Sequence, residues 1–305
     1  MKPSNNSMRS IYETLSRDKA AVADSLWVML QKEQTTYSDS CRDYLQSASH
    51  SRPSAAAITE SDRMQIVDWC YGVVDTLEFD REIVMIAMGL VDRFLSKSSS
   101  ATRYYLQDQL QFQLLAMAAL YIAIKTNERA AFSSANFSAM SGGLYSVEDI
   151  EATELKILSS LSWQICAPTS IQIGNHILSL LLPYVNLKEE STWGVLLDEV
   201  HYQAEYAVRD YYFSPQRPST VAFAAIFNAL EVVTISQVDR LAILAALMSV
   251  ISKGDFATSD HLMPATRRLH DLLEYDVIEE DPLDTSARSV DKFLVVNKRG
   301  EINCL

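Results

Sequence analysis

The segment Leu114–Ile124, which reads LLAMAALYIAI, constrains the fold more than any other part of the chain. Its residues are apolar or small at every position, within a helical pattern that covers about Gln107–Thr126. A helix without a polar face has no side that favours water. We therefore expect this helix at the centre of a bundle, with other helices packed around it.

Four further helical patterns accompany this segment in the first half of the chain. Apolar residues recur at helical spacing in each pattern, and polar or glycine-containing stretches separate them. The predicted helices run from Thr59 or Ser61 to Leu77, and over Arg81–Ser96, Ser133–Met140 and Ser146–Leu161. Ser146 and Asp149 form a capping-box pattern at the start of the last one. The polar run Ser96–Thr102 is predicted to be a flexible break.

The second half of the chain repeats this plan after Cys166–Thr169. Five more helices are predicted, over Thr169–Leu182, Thr192–Phe213, Ser219–Val233, Ser236–Ile251 and Asp260–Tyr275, and the middle one is again apolar almost all round. Only 8 Gly and 8 Pro occur in 305 residues, which fits long helices. The prediction is an all-α chain of two consecutive five-helix bundles with an N-terminal helix around Asp18–Lys32.

These patterns divide the chain into four parts. We expect an N-terminal helix and linker over residues 1–58, a first bundle over 59–167 and a second bundle over 168–275. Residues 276–305 begin with an acidic stretch and are predicted to form a disordered tail.

The sequence contains no motif typical of catalysis or of a bound cofactor. Phosphate-binding loops, HExxH and GxSxG are absent. The five histidines are isolated, and the four cysteines (Cys41, Cys70, Cys166 and Cys304) have neither metal-ligand nor disulfide-framework spacing. We therefore expect no enzyme activity, no cofactor and no metal.

The charge of the chain limits its partners. The formal net charge is -13, from 39 acidic and 26 basic residues. Such a surface repels nucleic-acid phosphates and anionic lipid, so neither nucleic acid nor a membrane is expected as a direct partner. A partner with a basic patch is favoured. No signal peptide or membrane-spanning stretch is visible, and an intracellular location is expected.

Four segments, in order along the chain, resemble the cyclin box. They are Arg63–Trp69 (RMQIVDW), Asp92–Leu95 (DRFL), Leu114–Lys125 with Glu128 after it, and Glu154–Thr169 (ELKILSSLSWQICAPT). The five positions that define the box fall on Arg63, Asp92, Leu114, Lys125 and Glu154, and each carries the family's residue. Trp27–Tyr44 is similar to the family's N-terminal helix and the run after it.

The resemblance implies two cyclin folds and a non-catalytic subunit that binds and activates a cyclin-dependent serine/threonine kinase in the cell cycle, in the nucleus or cytoplasm. It assigns kinase binding to Lys125, Glu154 and Leu114. Lys125 and Glu154 are expected to converge on one exposed patch and to hydrogen-bond the kinase backbone. Arg63 and Asp92 are expected to form a buried ion pair, and Trp69 to be structural. Leu114 and Trp163 are also predicted core residues.

Other features of the family are matched less well. Arg42 and Leu45 form a minimal R-x-x-L degradation motif, so a ubiquitin ligase is a candidate partner alongside kinase inhibitors. At the positions of the substrate-docking patch, Asp62, Gln65 and Gly72 replace two apolar residues and an acid. We therefore expect weak docking of basic-hydrophobic substrate motifs.

Two other functions remain open at this point. A cyclin-fold transcription-related factor should show a basic face, against which the acidic composition argues. A helical scaffold that has lost kinase binding would not need Lys125 and Glu154, and both are present.

Overall fold

In the computed structural model, the described residues are 19–37, 43–45, 58–97, 100–129, 132–181, 190–233, 235–253 and 259–279. These residues contain helices and no strand. In chain order the helices are α1 Lys19–Gln34, α2 Glu60–Thr76, α3 Glu82–Leu95, α4 Ser100–Leu106, α5 Gln109–Asn127, α6 Ser134–Met140, α7 Val147–Ser160, α8 Ser170–Leu181, α9 Glu190–Arg209, α10 Pro218–Val232, α11 Gln237–Lys253 and α12 Ser259–Glu279. The all-α prediction is confirmed.

The helices group into two compact units. The first bundle contains the described residues within 43–167 and 208–215. The second bundle contains the described residues within 19–37, 168–207 and 216–279. The N-terminal helix α1 is thus part of the second bundle, where it packs against α8. Among the described helices, none is long and apolar enough to cross a bilayer.

Helix α5 is the centre of the first bundle, as its composition predicts. Every residue from Phe112 to Ile124 is buried, and the helix packs against α3, α4 and α7. Asp108 begins the helix by accepting a hydrogen bond from the Leu110 amide through its side chain. Helix α5 therefore provides a rigid base that fixes where its last turn, which contains Lys125, meets the surface.

The predicted break over Ser96–Thr102 is wrong from Ser100 onward, because α4 begins there. Tyr105 and Leu106 are buried, and the Tyr105 ring packs edge-on against Phe94 at 5.5 Å. The Leu106 carbonyl accepts a hydrogen bond from the Ile58 amide. Burial of these two side chains offsets the low helix preference of Ser100 and Thr102 at the start of α4.

The second bundle is arranged around α10. This helix is buried without interruption from Ser219 to Ile226 and packs against α8 and α12. Glu33 of α1 is buried and accepts hydrogen bonds from the Ser219 amide and hydroxyl at the start of α10. The last helix continues to Glu279, four residues beyond its predicted end, while residues 280–305 of the predicted tail lie outside the described residues.

Candidate functional site

Lys125, at the end of α5, and Glu154, in the middle of α7, lie next to each other. The Lys125 Nζ donates a hydrogen bond to the Glu154 Oε1, and the two side chains form an ion pair. Lys125 lies in the last turn of α5, where the helix dipole favours a cation. Helix α7 is positioned by packing against α5, and its start is fixed by a capping box between Ser146 and Asp149.

The two members of this pair differ in burial. The Lys125 side chain is 45% exposed, whereas the Glu154 side chain is 12% exposed. The expectation of one exposed patch is therefore wrong for Glu154, because α7 packs its carboxylate against the bundle. The ammonium keeps donors that face solvent, and the carboxylate keeps lone pairs that Lys125 does not use. Together they can offer both a donor and an acceptor to a partner's backbone.

The structure does not bring Leu114 to this pair. Leu114 lies eleven residues before Lys125 on α5, which is about 16 Å along the helix axis. Its side chain is only 7% exposed and belongs to the apolar core of the first bundle.

Trp163 is a surface residue next to the end of α7, so its predicted core position is wrong. Its side chain is 64% exposed. Its amide donates a hydrogen bond to the Leu158 carbonyl, one turn beyond Glu154 on α7, and its φ of 61° follows a φ of 52° at Ser162. A left-handed backbone at two successive non-glycine residues is costly. No periodicity in the sequence indicates this exposure, because the two left-handed residues end the helical pattern before Trp163.

The structure brings Arg63 and Asp92 together inside the first bundle. The Arg63 Nε and Nη2 donate hydrogen bonds to the two Asp92 carboxylate oxygens at 3.1 and 2.7 Å. Asp92 also accepts one from the Tyr44 hydroxyl, and the Arg63 Nη1 donates one to the Val208 carbonyl. Burial alone lowers the pKa of Arg63, but the Asp92 carboxylate overrides it, so the pKa is raised and the guanidinium stays charged.

Comparison with known proteins places these residues in a family. The family profile described as the cyclin N-terminal domain matches residues 24–166. That range contains the Lys125–Glu154 pair, the Arg63–Asp92 pair and Trp163. Residues 24–166 are therefore a cyclin N-terminal domain. Cyclins are non-catalytic regulatory subunits of kinases, and the expectation of no enzyme activity agrees with the presence of this domain.

The similarity to individual cyclins is distant. The chain is 28% identical to the G2/mitotic-specific cyclin-A1 of Caenorhabditis elegans over 55% of its own length and 31% of that protein. It is 29% identical to cyclin-B1-4 of Arabidopsis thaliana over 59% of its own length and 43% of that protein. The matched region thus spans less than half of either cyclin.

Solved structures share the cyclin fold. A viral cyclin from herpesvirus saimiri superposes with a TM-score of 0.53 at 15% identity, covering 72% of this chain and 87% of that one. A chain in the structure of the CAK complex from Chaetomium thermophilum bound to ATP-gamma-S superposes with a TM-score of 0.50 at 15% identity, covering 96% and 89%.

The remaining predicted site residues are Trp69 and the two residues of the R-x-x-L motif. Trp69 is buried in the first bundle. In the R-x-x-L motif, Arg42 lies outside the described residues, whereas Leu45 packs partly buried against the core. The Leu45 amide donates a hydrogen bond to the Tyr211 hydroxyl.

The positions of the cyclin substrate-docking patch carry polar contacts. Asp62 is buried, accepting hydrogen bonds from the Thr59 amide and from the Gln109 side-chain amide. Gln113, which matches the family's residue at this patch, is also buried, and its side-chain oxygen accepts a hydrogen bond from the Tyr145 hydroxyl. Within the described part of the chain, no group of three His, Cys, Asp or Glu residues could hold a metal ion.

Proposed function

We propose that this chain is a regulatory cyclin that binds and activates a cyclin-dependent serine/threonine kinase through its first bundle. The observation that carries the proposal is the Lys125–Glu154 pair, formed by two helices of a cyclin N-terminal domain. An ion pair with one half-exposed cation and an acceptor beside it matches the donor and acceptor groups of a partner's backbone.

Trp163 supplies an apolar anchor for the same surface. Its large exposed side chain follows the helix that carries Glu154, and exposed tryptophans are frequent among the residues that dominate binding energy. Leu155, also exposed, adds apolar area on the same helix. The hydrogen bond from the Trp163 amide to the Leu158 carbonyl keeps the residue directly at the end of α7.

Activation follows from differential affinity. A kinase is active when its catalytic Lys–Glu ion pair is formed and its activation loop is displaced. A rigid bundle that binds this state better than the inactive one shifts the population toward it. A shift from 1% to 99% active kinase needs a difference of about 5.5 kcal/mol in binding free energy.

A cell-cycle role is supported by the names of the relatives, several of which are G2/mitotic-specific cyclins. The proposal includes nuclear or cytoplasmic location, and kinase inhibitors and a ubiquitin ligase as further partners. The similarity to a chain of the CAK complex supports assembly with a kinase.

Two substitutions test the proposal in a binding titration and a kinase assay with a panel of cyclin-dependent kinases. Lys125→Met removes the ammonium and Trp163→Ala removes the anchor. Each loss should weaken binding by about 2 kcal/mol or more, which is roughly thirtyfold, and lower activation accordingly. Lys97→Met and Leu241→Ala, which change an exposed lysine and an exposed apolar residue outside α5 and α7, are the matched controls.

The melting temperature of each variant separates a binding defect from a folding defect. The proposal fails when the wild-type chain activates no kinase of the panel, or when both folded variants bind and activate as the controls do.

A further inference from the structure

The ring of Tyr121 lies beneath the Lys125 ammonium. The Lys125 Nζ is 4.7 Å from the centre of the ring, within the range of a cation–π interaction. Tyr121 precedes Lys125 by four residues on α5, so the two side chains share one face of the helix. The Lys125 head is therefore held between an aromatic face and the Glu154 carboxylate.

Further aromatic rings fix the orientation of Tyr121. The Phe137 ring lies at 5.8 Å and 69° to it, and Phe132 lies edge-on to Phe137 at 5.1 Å and 85°. Phe79 continues the series at 6.1 Å and 84° from Phe132. Edge-to-face contacts of this kind are favourable and directional. Phe137 is fully buried, so the series connects the Tyr121 ring to the core of the first bundle.

We propose that Tyr121 is a positioning residue, which holds the Lys125 ammonium against Glu154 and so prepares it for the kinase. This inference rests on the proposed function. Tyr121 is only 8% exposed, and its ring acts on a partner through Lys125 rather than by contact of its own. A lysine side chain has several rotatable bonds, and fixing its head before binding reduces the entropy lost on association.

The first experiment needs no kinase. In protein with isotope-labelled lysine, the ε-methylene signal of Lys125 is identified by its loss in Lys125→Met. Because this methylene is bonded to an ammonium that lies over the Tyr121 ring, its proton resonance should be shifted upfield of those of exposed lysines. Tyr121→Phe should keep the shift, and Tyr121→Leu should abolish it. An unchanged shift in Tyr121→Leu would overturn the proposal.

The second experiment is a double-mutant cycle on kinase affinity. Tyr121→Leu should weaken binding about 2- to 5-fold, the size of an exposed cation–π interaction, and Tyr121→Phe should bind as the wild type does. In a Lys125→Met background, Tyr121→Leu should have no additional effect. An equal loss in both backgrounds would show that the ring acts independently of Lys125, contrary to the proposal.

The two experiments test the role of Tyr121 and the proposed function independently of each other. A wild-type chain that binds no kinase refutes the proposed function, and the resonance of Lys125 still decides whether Tyr121 positions the ammonium. Melting curves of the Tyr121 variants confirm that the bundle is folded in each comparison.

Discussion

At the scale of single residues, burial decides what each charge contributes. Arg63 and Asp92 are both buried, whereas Arg81 and Asp75 form an exposed pair. Arg63→Ala should lower the free energy of unfolding by about 3–5 kcal/mol, because it leaves the Asp92 carboxylate buried without its cation. Arg81→Ala, the matched control, should cost about 1 kcal/mol or less. Denaturant unfolding measures both, and equal small losses would contradict the role given to the buried pair.

In the Lys125–Glu154 ion pair of the candidate site, the effect of each charge on stability also depends on its burial. Lys125→Ala leaves a nearly buried carboxylate without its cation, whereas Glu154→Ala leaves a half-exposed ammonium that water can solvate. We expect Lys125→Ala to destabilise the chain by about 1–3 kcal/mol and Glu154→Ala by less. Adding Glu154→Gln to Lys125→Ala should restore part of the loss, since it removes the unpaired charge. Thermal melts of the three variants test this order, and a larger loss in Glu154→Ala would reverse it.

Local motifs with a fixed residue spacing could be predicted from the sequence, but the exposure of individual side chains could not. The capping box of Ser146 and Asp149 is local, and the structure contains it. The position of Trp163 depends instead on two left-handed residues after α7, which no periodicity indicates. The assignment of Lys125 and Glu154 came from resemblance to a family, because their pairing joins two helices that are separated in the sequence.

At the scale of helices, Glu33 couples α1 to the start of α10 across 186 residues of sequence. Burial raises the pKa of Glu33, and the hydrogen bonds from Ser219 only partly oppose this. The folded state therefore binds a proton more readily than the unfolded state. The resulting stability is fully present below the usual pKa of about 4.5 and is lost as the pH rises through the raised pKa of the folded state.

Glu33→Gln should remove this pH dependence. Over the pH range above 4.5, the wild-type unfolding free energy should fall more steeply with rising pH than that of the variant. Denaturant unfolding at a series of pH values measures both slopes. The control is Glu231→Gln, which removes an exposed carboxylate from the other end of α10. Parallel curves for wild type and Glu33→Gln would mean that Glu33 does not titrate differently on folding.

The positions of the helices could be predicted from apolar periodicity, but which helices pack against each other could not. The centres of both bundles were predictable because α5 and α10 lack a polar face. The short helix α4 was missed, since its stability comes from burial of Tyr105 and Leu106 rather than from helix preference. The packing of α1 against α8 depends on contacts that are distant in sequence, and no local pattern specifies them.

At the scale of the whole molecule, the net charge of -13 argues against a nucleic-acid-binding cyclin fold. The chain should not bind duplex DNA at about 0.15 M salt, where the Debye length is about 8 Å. Proteins that bind through basic residues gain affinity at lower salt, because they release counterions from the phosphates. An acidic surface shows the opposite trend, since weaker screening increases its repulsion from DNA. Fluorescence anisotropy of a labelled duplex, titrated with the chain over a range of salt, tests this. Saturable binding that strengthens as salt is lowered would favour the transcription-related alternative over the kinase regulator.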